Sequence, residues 1–492
     1  IVSPLEIIIL LPIIAALAIW LGASARFTAV AAVLVNLAIT LGLIGGYASA
    51  GEGMMIWKSS HLVLTNPAIH FAVGADGISL VMTLLTMLVT TAAIWSIVDK
   101  DRIYYIASLL ICACALCAFL STDIFFIFAF HELALIPTFL MIALYGHGDR
   151  KEAAWKITIY LGTGSLVLLT GLLGVVWLCS PRSGMTFDLA SLTPFVGNDK
   201  TQWWGTSCFF TLLLGFGTLV SLFPFHDWAA PAYASAPTPV AMLHAGVLKK
   251  FGLYGLIRIA LPLFPGAMQT PWIQHALLLM LLGNILVVGY VTLHQRRLDE
   301  MLANSSVMHM GYIFLGLAAG NALGVNGALV LMFAHGISIA LLFMLCGKLR
   351  NHLSTLEMDK LGGLAANAPF LGVVFGIAAF ASIGLPGLAN FAGEVLVFLG
   401  AFQSFAWDKG FTMLHITTIL SLLGVVISAV YMLRAYRKIF FGEATSGLFM
   451  SDPAIAQRVP MFLLSAVLLV IGCHPASLLN LIQDSLAVLN FK

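Results

Sequence analysis

Apolar stretches of roughly 17 to 25 residues, separated by short polar turns, recur about fourteen times along this chain. A helix needs about 20 apolar residues to cross the hydrocarbon core of a bilayer. The stretches lie near residues 5–22, 27–47, 78–98, 103–120, 122–144, 155–179, 207–222, 237–263, 272–294, 301–318, 323–348, 369–402, 412–441 and 458–479. With only 9% of its residues charged, the chain could not cover a soluble surface, where about a quarter are charged. The sequence therefore predicts an all-α polytopic membrane protein.

Charge and motifs exclude several classes of function. The formal net charge of +2 provides no basic field for nucleic acid. The seven cysteines lie in or beside apolar runs without zinc or iron–sulfur spacing, so we expect them to pack as small apolar residues. The sequence contains no GxGxxG, P-loop, nucleophile or haem motif. We therefore predict no cofactor and no metal in this chain, which moves something across the membrane rather than making or breaking bonds.

Two prolines interrupt long apolar runs, in Phe223-Pro224-Phe225 and in Gly384-Leu385-Pro386-Gly387. Proline removes a backbone donor and clashes with the preceding turn, so each position predicts a broken helix. A simple packing kink is the alternative for either proline alone. Two breaks that open onto polar residues favour a transporter built from inverted repeats, in which irregular backbone lines an ion site.

Charged clusters fill the turns at 99–102, 148–156, 296–300 and 348–360, whereas 50–76 and 180–206 are the longest polar insertions. The excess of basic residues in short turns predicts that these four turns lie on the cytoplasmic side.

The run that contains Glu132 is otherwise apolar apart from His131 and Thr138. A charge near the bilayer centre costs about 2.5–3.5 kcal/mol on insertion scales, so such residues usually face a bundle interior and mark ion pathways. Glu132 is therefore a predicted proton-translocation residue, with His131 beside it. A hydrogen-bonded structural carboxylic acid is the alternative.

Lys249 and Lys250 lie about the middle of the run Pro237–Arg258. Adjacent helical residues project about 100° apart, so the two lysines must face different neighbours. Burial disfavours the charged form of lysine, which suits a group that takes up and releases protons. Snorkelling to the surface is the alternative, and the position in mid-span argues against it.

Glu394 lies eight residues after Pro386, in an otherwise apolar run. His309, His335 and His244 add groups that titrate near neutral pH inside apolar spans. Each histidine taken alone could equally be a hydrogen-bonded core residue. Together with the carboxylates and lysines, they form a candidate chain for proton transfer.

Several motifs, in this order, carry a resemblance to a known family. They are FAVGADGISL (71–80), FHELALIPTFLMIALYG (130–146), FPFHDWAAPAYASAPTPVAMLHAGVLKKFGLYGLIRI (223–259), NSSVMHMGYIFLGL (304–317), AHGISIALLF (334–343), GLPGLANFAGE (384–394) and YMLRAYRKIFFG (431–442). The chain resembles the antiporter-like, proton-translocating membrane subunits of respiratory complex I (NADH-quinone oxidoreductase chain M, or NADH dehydrogenase subunit 4), which are related to the Mrp antiporters.

The resemblance implies fourteen transmembrane helices with two inverted five-helix repeats, each containing a broken helix, around a hydrated axis of charged residues. On this basis residues 1–100 form the N-terminal helices, 101–265 the first repeat, 266–445 the second, and 446–492 a C-terminal helix and tail. By position, Glu132 matches the family's fifth-helix glutamate, Lys250 its eighth-helix lysine, and Glu394 its twelfth-helix carboxylate. His309 and His335 match histidines on the path between them.

Two departures from the family pattern are visible. The family usually has a lysine seven residues before the histidine of the seventh-helix break, and counting back from His226 gives Leu219. Either His131, Lys249 or another residue replaces this lysine, or the input half is altered or silent. The turn before the tenth helix, Gln295–Glu300, also differs from the family's usual QxDxKR, which indicates a divergent branch.

The resulting expectation is a proton-translocating subunit in the membrane arm of a complex I-type NADH:quinone oxidoreductase. It would be a subunit of a translocase with no redox site of its own, with NADH, FMN, iron–sulfur clusters and quinone in partner subunits. Expected partners are other membrane-arm subunits, including related antiporter-like chains, and membrane lipid, in a bacterial plasma membrane. Three alternatives stay open: a subunit of a multisubunit sodium/proton antiporter, a membrane arm of a hydrogenase-, formate- or CO2-linked complex, and a non-pumping structural subunit.

Overall fold

The computed structural model describes residues 3–50, 53–65, 67–98, 100–182, 184–198, 201–353, 355–408, 410–443 and 449–489. Asp99, from one of the predicted charged turns, lies outside the described residues. The helices, apart from short 3₁₀ turns, are α1 Pro4–Trp20, α2 Ala25–Ala50, α3 Gly77–Ser96, α4 Arg102–Leu120, α5 Ile124–Tyr145, α6 Arg150–Cys179, α7 Gln202–Val220, α8 Ala229–Ser235, α9 Thr238–Leu263, α10 Pro271–His294, α11 Leu298–Ala318, α12 Ala322–His352, α13 Pro369–Ile383, α14 Ala389–Phe402, α15 Met413–Phe440, α16 Ile455–Cys473 and α17 Ala476–Val488.

Twelve of the described helices are long and apolar enough to cross a membrane. The shorter α1 and the half-helices α13 and α14, taken together as one span, bring the number to the predicted fourteen. The last predicted span extended to residue 479, but α16 ends at Cys473, because the residue before Pro475 is disfavoured in helical conformation. The prediction of a polytopic helical membrane protein is confirmed.

Both predicted breaks are present, and Pro224 and Pro386 lie inside them. The first break separates α7 from α8, and backbone groups within it form hydrogen bonds with the side chain of Asn284 on α10. The Asn284 side chain accepts from Phe223 N at 2.8 Å and donates to Ser221 O at 2.9 Å. The second break separates α13 from α14 and begins at Gly384, whose φ of 81° suits glycine. Irregular backbone at membrane depth is stable here because protein groups bond it.

The two sets of five spans, α4 to α9 and α10 to α15, have the same order, with the fourth span broken in each. Because successive spans alternate in direction, the turns after α3, α5, α10 and α12 lie on one face, here called the basic face. Arg350, near the C-terminus of α12, agrees with this arrangement, since it bonds Asp299 near the N-terminus of α11 and Ala234 O near the C-terminus of α8. The first set starts at the basic face and the second at the opposite face, so the repeats are inverted.

The polar insertion at 50–76 contains a two-stranded antiparallel hairpin that the all-α prediction did not include. Strand β1, Ile56–Thr65, pairs with β2, Ala68–Ala75. Strands of this length are shorter than the 20-residue windows on which the span prediction rested. The face that carries this hairpin, opposite the basic face, is called the hairpin face below.

The centre of the bundle is formed by α9, α11 and α12, which are buried throughout their apolar length. These three helices carry Lys249, Lys250, His244, His309 and His335. A helix that is buried on all sides within a membrane bundle is shielded from both lipid and the aqueous phases. The candidate residues therefore lie on the most enclosed helices of the fold.

A buried ion pair ties the start of α3 to the end of α9. Both terminal nitrogens of Arg258 lie 2.6 Å from the carboxylate oxygens of Asp76, which caps α3. Burial by itself raises the pKa of Asp76, but the Arg258 charge and its hydrogen bonds outweigh it, so the net pKa lies below the ordinary value. Bidentate geometry inside the protein makes this pair a structural tie.

We expect Asp76→Asn to destabilise the protein by about 3–5 kcal/mol, because the Arg258 charge would stay buried without its partner. Thermal unfolding in detergent measures the loss. The control is Lys438→Met, which breaks an exposed pair with Asp359 and should cost under about 1 kcal/mol. The double variant Asp76→Leu with Arg258→Met should recover most of the loss. An Asp76→Asn protein as stable as the parent would contradict this role.

Candidate functional site

Lys250 and His335 form the central contact of the candidate site. Lys250 is fully buried, and its Nζ lies 2.9 Å from His335 Nδ1 and 2.7 Å from Ala245 O. Nδ1 of a neutral imidazole can accept the hydrogen bond that the ammonium donates. The two side chains can therefore pass one proton between them. No ion pair of Lys250 is found among the described residues.

Two local features of the sequence produce this contact. A π-helical turn, His244–Leu248, directly precedes the lysines, and π turns in helices are frequent at functional sites. Gly246 and Gly336 allow α9 and α12 to approach closely, since a Cβ at Gly336 would come within 2.7 Å of Gly246 O. Small residues are the usual means of bringing membrane helices together. His335 is the residue before Gly336 and is thereby held against Lys250.

His309 continues the row from α12 to α11. The rings of His335 and His309 are 5.5 Å apart between centroids. The two ring nitrogens of His309 lie 2.8 Å from Ser305 O and 2.8 Å from Ser382 O. Carbonyl oxygens only accept, and only the protonated ring donates from both nitrogens. A neutral His309 ring can therefore donate to one of these carbonyls, and a ring that has taken up a proton can donate to both.

Glu394 lies on α14 beside the second break. Its carboxylate packs against Gly384, so closely that a Cβ at that position would overlap it. Gly384 is two residues from Ser382, the residue that His309 contacts. Glu394 is buried, and no hydrogen bond of its carboxylate is found in the described part of the chain. The break thus places an uncompensated carboxyl group next to the end of the histidine row.

Three buried polar atoms near this end also lack a protein partner among the described residues. They are the Tyr312 hydroxyl on α11, Asn326 Oδ1 on α12 and Asn390 Oδ1 on α14. Asn390 lies one turn before Glu394 and donates weakly to Ser338 Oγ, at 3.5 Å. Buried polar atoms without a protein partner are rare in folded proteins and are typical of functional sites.

Lys249 is also fully buried, but it points to a different neighbour, as the 100° offset predicted. Its Nζ lies 3.2 Å from Ser306 O and 3.4 Å from Ser306 Oγ, on α11. The same Nζ is 5.4 Å from the ring centroid of Tyr233 on α8. The Tyr233 hydroxyl in turn is 3.3 Å from His244 Nδ1. Lys249 and His244 therefore belong to one polar cluster between α8, α9 and α11.

Glu132 occupies a different environment from Lys250 and Glu394. Ser165 Oγ of α6 donates to its carboxylate at 2.5 Å, and His131 Nδ1 lies 3.1 Å from the same oxygen. The Glu132 side chain is 29% exposed, so it lies at the edge of this chain and not in its centre. Leu219 is buried on α7, at the position where the family usually has lysine. Of the proposed replacements, His131 contacts Glu132, whereas Lys249 bonds Ser306.

The structure thus brings together Lys250, His335 and His309 in one row, with Glu394 at its far end. Lys249 and His244 form a second cluster, and Glu132 with His131 a third. Sequence reasoning missed Tyr233, Ser165 and Ser306, which hold the candidate side chains. The feature of the sequence that could have indicated them is a polar residue inside an apolar span.

No group of three or more His, Cys, Asp or Glu side chains converges within the described ranges. All seven cysteines are unpaired.

Residues 121–424 match the family model described as the transmembrane region of NADH:quinone oxidoreductase/Mrp antiporter proteins. The match covers more than half of the chain. The chain belongs to this family. The matched range includes Glu132, Lys250, His335 and Glu394.

Individual relatives agree with this membership. NADH-quinone oxidoreductase subunit M of Rhodobacter capsulatus is 30% identical over 479 residues, which cover 94% of this chain and 90% of the relative. A chain of respiratory complex I from Thermus thermophilus with bound NADH has a TM-score of 0.87 and 28% identity, covering 99% of both chains. A chain of the Mrp complex from Dietzia sp. DQ12-45-1b has a TM-score of 0.84 at 19% identity, covering 99% of this chain and 97% of that one, a likeness of fold alone. The resemblance inferred from the motifs is confirmed.

Proposed function

We propose that this chain is a proton-translocating, antiporter-like subunit in the membrane arm of a complex I-type NADH:quinone oxidoreductase. The observation that carries the proposal is the buried row Lys250–His335–His309, which ends beside Glu394 at the second helix break. The side chains of lysine, histidine and glutamic acid can each take up and release a proton. Relatives named as subunits of NADH-quinone oxidoreductases support the same assignment.

In the proposed mechanism a proton arrives at the adjacent lysines, Lys249 and Lys250. It then passes from Lys250 to His335 and His309, and reaches Glu394. Charge changes at a neighbouring subunit would act on the row electrostatically. Two unit charges about 10 Å apart, at an effective dielectric of about 20, interact by under about 2 kcal/mol. That energy corresponds to about a tenfold change in the equilibrium constant of a protonation. Such a change is enough to move a proton by one step along the row.

Glu132 is suited to contact a neighbouring membrane subunit. Its carboxylate is partly exposed at membrane depth, where lipid would be an unfavourable environment for a charge. A second membrane subunit on this side would cover it. We therefore assign Glu132 and His131 to the coupling end of the path, with Ser165 positioning the carboxylate.

Electron transfer is assigned to other chains. We propose that NADH, FMN, iron–sulfur clusters and quinone are held by partner subunits, and that this chain contributes proton-carrying side chains to the translocase. We also propose a bacterial plasma membrane with the basic face towards the cytoplasm, as the basic turns indicate. The division into units at residues 100, 265 and 445 stays a prediction.

A subunit of a sodium/proton antiporter is the second candidate, favoured by two observations. The fold is shared with a chain of an Mrp complex. Leu219 replaces the lysine expected beside Glu132, so the input half differs from that of a typical complex I subunit.

Purification of the native complex separates the two candidates. We expect flavin- and iron–sulfur-containing chains to copurify, and reconstituted vesicles to acidify when NADH and a quinone are supplied, without a need for sodium. Sodium-dependent proton exchange without any electron donor would contradict the proposal and support the antiporter. A complex that oxidises NADH with normal stoichiometry when this chain's row is inactivated would indicate a structural subunit.

A further inference from the structure

The second buried lysine, Lys249, has an environment that the proposed row does not use. It lies next to Lys250 in sequence, both side chains are fully buried, and neither forms an ion pair among the described residues. Two adjacent cations in a low-dielectric interior repel each other strongly. The pair is therefore expected to hold one proton at a time, on one lysine or on the other.

A cavity at the basic face is lined in part by residues of α8 and α11, the two helices that carry the contacts of Lys249. This cavity, here called the acidic vestibule, has a volume of about 620 Å³. All its lining residues come from segments 147–156, 227–235 and 291–304. Its five carboxylates, those of Asp149, Glu152, Asp227, Asp299 and Glu300, outnumber its two lining cations, Lys156 and Arg297. Asp227 pairs with Lys156, and Asp299 and Glu300 pair with Arg297, which leaves Asp149 and Glu152 without an ion pair among the described residues.

The vestibule is lined by residues that lie close in the chain to the two contacts of Lys249. Asn304 lines it, and Ser306, which bonds Lys249, is two residues further along α11, about 3 Å along the helix axis. Ala230, Pro231 and Ala234 of α8 also line it, and Tyr233 on the same helix lies against Lys249. Lys250, the next residue on α9, contacts His335 of α12.

We propose that Lys249 is the proton-loading group of this chain, taking protons from the acidic vestibule and passing them to Lys250. This inference rests on the function proposed above. In loading, an O–H bond of a hydronium ion in the vestibule breaks, which leaves water, and an N–H bond forms on the neutral Lys249 amine. In transfer, an N–H bond of the Lys249 ammonium breaks and one forms on the Lys250 amine, so the pair keeps one positive charge.

Leu219 stands where the family usually has a lysine, and Lys249 can take over the function of that lysine. Leu219 cannot carry a proton, and the contacts of Glu132 are with Ser165 and His131. Lys249 supplies a second lysine on the input side of Lys250. The Lys156–Asp227 ion pair, at 2.6 Å and partly exposed, lies in the vestibule wall, where it can open and close without the cost of a buried pair.

The test uses the whole complex in inside-out vesicles, in a Cys473→Ser background that removes the exposed cysteine. Asn304→Cys should react with a membrane-impermeant methanethiosulfonate added at the basic face. We expect the modified complex to lose NADH-driven proton translocation by about tenfold or more, the scale of losing a proton-transfer group. A reducing agent should restore it, which excludes unfolding as the cause. Thr122→Cys, in a cavity of the hairpin face, should not react from this side.

Lys249→Met should give a similar loss, and Lys249→Arg should not rescue it, because arginine keeps the charge but does not release a proton. Parent rates in Lys249→Met, or failure of Asn304→Cys to react, would overturn the loading role. The proposed function is tested separately by Lys250→Met in the same vesicles. If only Lys250→Met loses translocation, the function stands and this inference is wrong.

Discussion

Lys250→Met is expected to assemble normally and to lose NADH-driven proton translocation through this subunit. Lys250 is fully buried and contacts His335 at 2.9 Å, so it is the first member of the row that ends at Glu394. Methionine has a similar length and is readily accommodated in an apolar interior, so packing is largely kept. A positioned proton-transfer group contributes about 10²- to 10⁴-fold to a rate, and we expect a loss of at least about tenfold. The measurement is the initial rate of vesicle acidification under NADH.

The matched control for this prediction is Lys360→Met. Lys360 is 63% exposed and pairs with Glu357 in a turn of the basic face. Its loss removes the same charge without touching the row, and translocation should stay at the parent rate. The amount of assembled complex on a native gel separates loss of function from loss of folding. Equal translocation by Lys250→Met and the parent would remove Lys250 from the mechanism.

Glu394→Gln should abolish coupled translocation while the complex remains assembled. Glutamine has nearly the shape of the protonated carboxyl group and keeps the contact with Gly384, but it cannot take up or release a proton. The row would then end at His309 without an acceptor. We expect the number of protons moved per NADH oxidised to fall, or NADH oxidation itself to slow by about tenfold or more if coupling is tight.

Glu357→Gln provides the comparison, since it makes the same chemical change in an exposed turn. Its stoichiometry should equal that of the parent. Glu394→Asp keeps the ionisable group but withdraws it by one methylene, so partial activity is expected. Unaltered stoichiometry in Glu394→Gln would mean that protons leave the row by another route.

Much of the fold was predictable because each span is a local pattern. The apolar runs determined where helices begin and end, as the close agreement of α9, α10 and α12 with their predicted spans shows. Pro224 and Pro386 predicted the breaks through the chemistry of single residues. The hairpin β1–β2 was missed because its signal is short, and the half-helix α8 was missed because its seven residues are too few to show a period.

The candidate residues were predictable for a similar reason. An ionisable side chain in an apolar run is costly wherever the helix packs, so Glu132, Lys250 and Glu394 could be chosen from the sequence alone. The function of each residue depends on its neighbours in space, and these neighbours are distant in the chain. Lys250 and His335 are 85 residues apart, and Glu132 and Ser165 are 33 apart.

The sequence alone determined that this chain spans a membrane, that two of its helices break, and that it carries charge inside apolar spans. Only the tertiary structure decided that Lys250 contacts His335, that Lys249 contacts Ser306 and Tyr233, and that Glu132 lies at the edge of the bundle. The reason is physical, because hydrophobic periodicity is set by neighbours along the chain, whereas the direction of a buried side chain is set by which helices pack beside it.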